Sequence, residues 1–234
     1  MDRRRLKPAM MRVCKPPGNR APERVATSRT GRDDEPASRN VRRLPGHAGI
    51  IAVAVVAILL SWCDFAQAAG PPRVILLRGW FGVFSTGLDT IETELKGLGI
   101  NAEVAGHLSW QSEVAEILRD HAAGRTGPLV LVGHSQGANN VIDMARALEP
   151  HHVTVDLLIT LSPFMQNRVP ANVVKAINYY QAPGWGQPLQ AAPGFHGTLN
   201  NVNLAGDLTI THIGMDKNAK IQTAIVREIA AAVK

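Results

Sequence analysis

From Arg73 to the C-terminus, short apolar runs alternate with segments whose apolar residues recur every three or four positions. Val74–Leu77 is apolar at consecutive positions, which predicts a strand buried on both faces. In Leu88–Leu98 the residues Leu88, Ile91, Leu95 and Leu98 follow a helical spacing, with Asp89 in the first turn and Gly97 and Gly99 as the stop. Ala102–Ala105 predicts a short strand, and Gln111–Ala123 a helix with a stripe of Val114, Ile117, Leu118 and His121. Leu129–Val132 is a second all-apolar strand, followed by a helix from about Ala138 to Leu148, before Pro150. Val153–Leu161 and Val173–Tyr180 predict two more strands, and Gln181–Gly197 a loop rich in Pro, Gly and Gln. Val202–Ala205 is expected as the last strand. Lys217–Val233 is the closing helix, with Ile221, Ile225, Ile229 and Val233 at i+4 steps. Strands alternating with helices predict an α/β domain, a mostly parallel sheet flanked by helices on both faces.

Residues upstream of this pattern behave differently. The 234-residue chain carries a formal net charge of +6, but the charge is concentrated at one end. Residues 1–46 hold 13 Lys/Arg against 5 Asp/Glu, are rich in Arg, Pro, Ser and Gly, and show no apolar periodicity. Such a segment cannot bury enough surface to offset its ordering entropy, so a basic disordered leader is expected, or a start codon placed too early. Residues 47–68 then read as a signal peptide. They hold an apolar run, Ala48–Trp62, behind Arg42 and Arg43, and end in the small-x-small step Ala66-Gln67-Ala68. The run is short of the roughly 20 apolar residues that span a bilayer. Cleavage after Ala68 and a periplasmic or secreted location are therefore expected. The alternative is an uncleaved segment around 48–62 that tethers the protein to the inner membrane.

Export changes the charge argument. The expected mature domain, residues 69–234, has 12 basic and 13 acidic residues and no Cys, since Cys14 and Cys63 both precede it. A net charge of −1 removes the electrostatic case for nucleic acid as a partner, and the lack of Cys removes any disulfide or Cys-based metal site. No metal and no cofactor are expected.

The chemistry is concentrated in Leu129-Val-Leu-Val-Gly133-His134-Ser135-Gln136-Gly137-Ala-Asn, an apolar strand, then Gly-x-Ser-x-Gly, then a helix. A tight strand-to-helix turn strains the serine backbone, and the residues two positions away pass too close for side chains. The turn presents the hydroxyl at a helix N-terminus, where amides favour developing negative charge.

With this elbow the sequence resembles the α/β-hydrolase superfamily, particularly small, lid-poor lipases and esterases, over roughly Arg73–Lys234. Two further stretches carry the resemblance. Leu76-Leu77-Arg78-Gly79-Trp80-Phe81-Gly82 looks like the family's oxyanion loop, with Arg78 where His is usual. By that match the oxyanion donors are the backbone N–H groups of Trp80 and Gln136. Asp207-Leu-Thr-Ile-Thr-His212-Ile-Gly-Met, just before the last helix, is similar to the family's step that delivers the catalytic imidazole, which makes His212 the general base and His196 its main rival.

The family's acid is harder to place. The strand tips around Ser162 and Gln181 hold no carboxylate. Asp156 begins its strand, about 20 Å from the tip at ~3.3 Å per residue, and Asp143 lies about 12 Å down a helix axis. Asp207, in the loop leading to His212, is expected to curl back to the imidazole Nδ1, and Asp216 to begin or cap the last helix. Ser162, an amide or a carbonyl orienting the imidazole is the alternative. A pocket wall of Phe81, Phe84, Phe164 and Trp185, with Trp80, favours acyl chains over charged substrates. The resemblance thus implies an exported serine hydrolase acting on a small-molecule carboxylic ester or thioester. The alternative is a non-catalytic envelope binding or interaction protein that keeps the elbow as a fold element.

Overall fold

The computed structural model describes residues 70–80, 82–165 and 167–234. These fall within a compact unit, Phe65–Lys234; the other unit, Met1–Asp64, lies outside the described residues. The expected leader (1–46) and the signal segment (47–68) therefore also lie outside them.

Six strands, β1 (Arg73–Arg78), β2 (Ala102–Gly106), β3 (Leu129–His134), β4 (Val155–Leu161), β5 (Val173–Tyr180) and β6 (Thr198–Asn203), form one sheet in the order β2-β1-β3-β4-β5-β6. Every pairing in it is parallel. The helices α1 (Gly87–Gly97), α2 (Trp110–Ala122), α3 (Gln136–Leu148) and α4 (Ala219–Ala232) divide between its two faces. Consecutive apolar residues make this possible, because alternate side chains of each central strand enter opposite cores. Val74 and Leu76 join Leu88, Ile91, Leu95, Ile221, Ile225 and Ile229, so α1 and α4 cover one face. Ile75 and Leu77 join Val114, Ile117, Val141, Ile142 and Leu148, so α2 and α3 cover the other. The structure is the α/β architecture expected from the sequence.

The last strand differs from expectation. It begins at Thr198 rather than Val202 and reads Thr-Leu-Asn-Asn-Val-Asn. As an edge strand it is only half covered, so its polar positions break the apolar run that marks the central strands. Its asparagines replace a core by hydrogen bonds. Asn201 Oδ1 accepts from Asn178 Nδ2 at 2.8 Å and from the Leu189 amide at 2.8 Å, and Asn201 Nδ2 donates to the Leu189 carbonyl at 3.0 Å. The Gln181–Gly197 loop also contains a two-residue strand, Gln190–Ala191, paired with Arg168–Val169.

Parallel pairing sends all six carboxyl ends to one edge. The chain leaves β1 toward β2 on one side and β3 toward β4 on the other, so the tips of β1 and β3 are adjacent at the switch point, where α/β sheets open a crevice.

Candidate active site

Ser135 sits between β3 and α3 with φ 60° and ψ −121°, a left-handed conformation that a serine adopts only when its surroundings enforce it. The enforcement comes from close backbone approaches. A Cβ on Gly133 would lie 2.3 Å from the Gly137 carbonyl oxygen, and one on Gly137 would lie 2.2 Å from the Leu77 carbonyl oxygen. The residue after β1 also passes close, since a Cβ on Gly79 would meet Ser135 Cβ at 2.9 Å. The next amide along that backbone is Trp80. Gln136 is the first residue of α3, so its N–H is one of the helix's opening amides without an intrahelical acceptor. Both expected oxyanion donors therefore belong to backbone segments that adjoin the serine.

His212 reaches the same point from the far side of the sheet's carboxyl edge. Its Nε2 lies 3.0 Å from Ser135 Oγ. The ring is flanked by Trp185 (centroids 4.6 Å apart) and Phe164 (5.6 Å, stacked at 29°), and Trp80 lies 6.1 Å from Phe164. Phe164 is held in turn by Asn139 of α3, whose Oδ1 accepts its main-chain N–H at 3.0 Å. Phe84 is half exposed beside this site, and its carbonyl accepts from Lys217 Nζ at 2.7 Å. Phe81 lies outside the described residues. His196, the rival base, precedes β6 and so stands at the opposite edge of the sheet. Burial, with the neighbouring His134, lowers the His212 pKa to about 4, and the Asp216 charge opposes that shift. The imidazole is thus neutral near pH 7 and able to accept a proton.

The structure does not bring Asp207 to the imidazole. Its Oδ1 is taken up locally, accepting the Thr209 amide at 3.0 Å and the Thr209 hydroxyl at 2.5 Å. A side chain that closes an Asx-type turn two residues on satisfies itself within the loop, and the loop then carries it away from the ring. Ser162 is also committed elsewhere, with Oγ donating to Met215 Sδ at 3.3 Å. Asp156 binds the Leu129 amide at the start of β3, on the other edge.

Asp216 does not cap the last helix. That position belongs to Asn218, whose side chain accepts from the Lys220 and Ile221 amides. Asp216 is instead fully buried, and its Oδ2 accepts the Gly87 amide at 2.7 Å, which ties the His212 loop to the start of α1. Its Oδ1 has no hydrogen-bond partner among the described residues and lies 4.0 Å from His134 Nδ1. Burial pushes this carboxyl's pKa up.

Two site residues escaped the sequence reasoning. Gln181, at the β5 tip where a carboxylate was sought, donates Nε2–H to the Ile210 carbonyl at 3.0 Å, two residues before His212. His134, the residue before the serine, has both ring nitrogens in hydrogen bonds. The available signal was positional, since both stand at strand tips on the edge that carries the serine.

A wide cleft of about 830 Å³ opens at the opposite edge, between the starts of β1 and β3 and α2. Its Arg73 is held by three carboxylates, Glu113 (3.0 Å), Glu116 (2.8 Å) and Asp120 (3.1 Å). Ser135 and His212 stand at the other edge.

No protein-family model and no curated protein matches this chain. Solved structures do. An α/β-superfamily hydrolase from Xanthomonas campestris pv. campestris, whose own function is assigned only by inference, is 16% identical, covering 68% of this chain and 98% of that one at a TM-score of 0.40. The type II thioesterase BorB of the borrelidin biosynthetic cluster is 12% identical, covering 72% and 94% at a TM-score of 0.44. The described residues have an α/β fold, a six-stranded parallel sheet with helices on both faces. The chain's own structure adds the strand–Ser–helix turn and an imidazole, carried by the loop after the last strand, that reaches the serine.

Proposed function

We propose that the protein is a serine hydrolase that cleaves a carboxylic ester or thioester through an acyl-enzyme on Ser135. The observation that carries this reading is the 3.0 Å contact between His212 Nε2 and Ser135 Oγ, made at the strained turn. In the first half-reaction Ser135 Oγ attacks the carbonyl carbon while His212 takes its proton. The Trp80 and Gln136 amides receive the negative oxygen of the tetrahedral intermediate. His212 then gives the proton to the departing alcohol or thiol. In the second half-reaction His212 takes a proton from water, the resulting hydroxide attacks the acyl carbon, and Ser135 leaves as the hydroxyl with the carboxylic acid released.

The reading draws further support from the walls. Trp80, Phe84, Phe164 and Trp185 are exposed and offer apolar surface to an acyl chain. We further propose, from the sequence segment 47–68 alone, that this chemistry takes place after export.

A non-catalytic binding role is favoured by one observation: His212 Nδ1 is buried without a hydrogen-bond partner among the described residues. Turnover separates the two. The full chain should hydrolyse p-nitrophenyl acetate and butyrate at least about a thousandfold faster than its Ser135→Ala and His212→Ala variants. Equal rates in wild type and Ser135→Ala would leave only the binding role.

A further inference from the structure

His134 has no step in the acyl-transfer scheme, yet it is 1% exposed and fully engaged. Directions of donation can be followed atom by atom. The Gly79 amide, at the tip of β1, donates to Ser85 Oγ at 3.0 Å. Ser85 Oγ lies 2.8 Å from His134 Nδ1, and His134 Nε2 lies 2.9 Å from the main-chain carbonyl oxygen of His212. A carbonyl can only accept, so Nε2 carries the ring proton. Nδ1 is then the acceptor, and the Ser85 hydroxyl supplies the proton it accepts. One imidazole thereby joins three parts of the site: the oxyanion loop, the elbow and the loop of the base.

The main chain around His212 is held on both sides as well. Gln181 Nε2 donates to the Ile210 carbonyl at 3.0 Å, and Lys217 Nζ to the Ile213 carbonyl at 2.9 Å. The His212 ring, by contrast, has no hydrogen bond at Nδ1 among the described residues. We propose that His134 is a positioning residue for the general base, fixing the His212 imidazole through its backbone carbonyl rather than through a carboxylate on its ring. Burial lowers the His134 pKa to about 4, so the neutral ring that this arrangement needs persists near pH 7. A side chain present only for packing would need neither hydrogen bond. Here, removing the donor leaves a buried carbonyl unpaired and frees the base to move away from Ser135.

The proposal rests on the acyl-transfer reading, and its test uses two substitutions that divide the functions of the ring. His134→Gln keeps an N–H donor at the reach of Nε2, whereas His134→Asn keeps the acceptor for Ser85 and loses that reach. In the full chain, His134→Gln should retain kcat within about fivefold, and His134→Asn should lose tenfold or more with KM within twofold. In a His212→Ala background, His134→Asn should cost nothing further, because its effect passes through the base. A folded His134→Asn variant with wild-type kcat, or one that loses the same factor without His212, overturns the proposal. An inactive wild type overturns the acyl-transfer reading and this proposal with it. Nitrogen-15 imidazole shifts of the wild type supply a test that depends on no variant. Protonated Nε2 and accepting Nδ1 at His134 are expected, and the opposite tautomer overturns the proposal.

Discussion

In the proposed reaction, Ser135 and His212 divide the demands between backbone and side chain. The serine is held by steric necessity, with glycine at 133 and 137 because neighbouring carbonyls occupy the space of a Cβ. The histidine is held by its main chain and by aromatic rings rather than by an acid. This explains what could be read at the residue scale. Gly-x-Ser-x-Gly states a local geometry in five consecutive residues, so the strained turn at Ser135 was legible. The group orienting the base depends on which loops meet in space, and Asp207 satisfied itself two residues away, which spacing cannot reveal. Burial also sets the working pH. A base must be unprotonated, and the His212 pKa near 4 lies below the usual 6.5. Activity should therefore rise as pH increases through about 4 and be flat above about pH 5. A pH profile of kcat/KM checks this, and an acidic limb at pH 6.5–7 would contradict an imidazole whose pKa is lowered by burial.

At the scale of elements, most of the sheet was legible because central strands between two helical layers must be apolar on both faces. The edge was not, since β6 faces solvent on one side and spends Asn200, Asn201 and Asn203 where a central strand would carry Val or Ile. Helix α4 is the clearest case of pattern becoming structure. Ile221, Ile225 and Ile229, one turn apart, are all buried in the core that the helix shares with α1 and β4. It also carries the load of the site's own loop, because Gln222 Nε2 donates to the Asp216 carbonyl at 2.9 Å and to the Gly87 carbonyl at 3.2 Å. Ile225→Ala should destabilise the fold by about 2–5 kcal/mol in urea unfolding, as for other fully buried aliphatic truncations. A change below about 1 kcal/mol would mean that α4 is not packed as described.

Across the whole described molecule, exposed apolar side chains are not scattered. Of the 11 exposed large hydrophobic residues among those described, nine lie in loops that follow the carboxyl ends of the strands, Trp80, Phe164, Trp185 and Leu208 among them. The stretches 79–86, 107–109, 162–167, 181–197 and 204–214 contain a single formally charged residue, Asp207. The edge that carries Ser135 is therefore apolar and nearly free of formal charge, which suits the uncharged acyl groups of the proposed substrates. Trp185→Ala should raise KM for p-nitrophenyl butyrate about fivefold, a loss of ~1 kcal/mol of apolar contact, and raise it less for the acetate. Equal losses for both esters would place the acyl chain elsewhere.

The central claim is that Ser135 is an activated nucleophile and His212 is the group that activates it. A fluorophosphonate reports on this directly, because it bonds to a serine only when a base removes the proton. The full chain incubated with such a probe should gain one phosphonyl group, located at Ser135 by peptide mass spectrometry. The rate should fall at least about a hundredfold in His212→Ala. Labelling that is absent, or that proceeds at the wild-type rate without His212, would contradict the account.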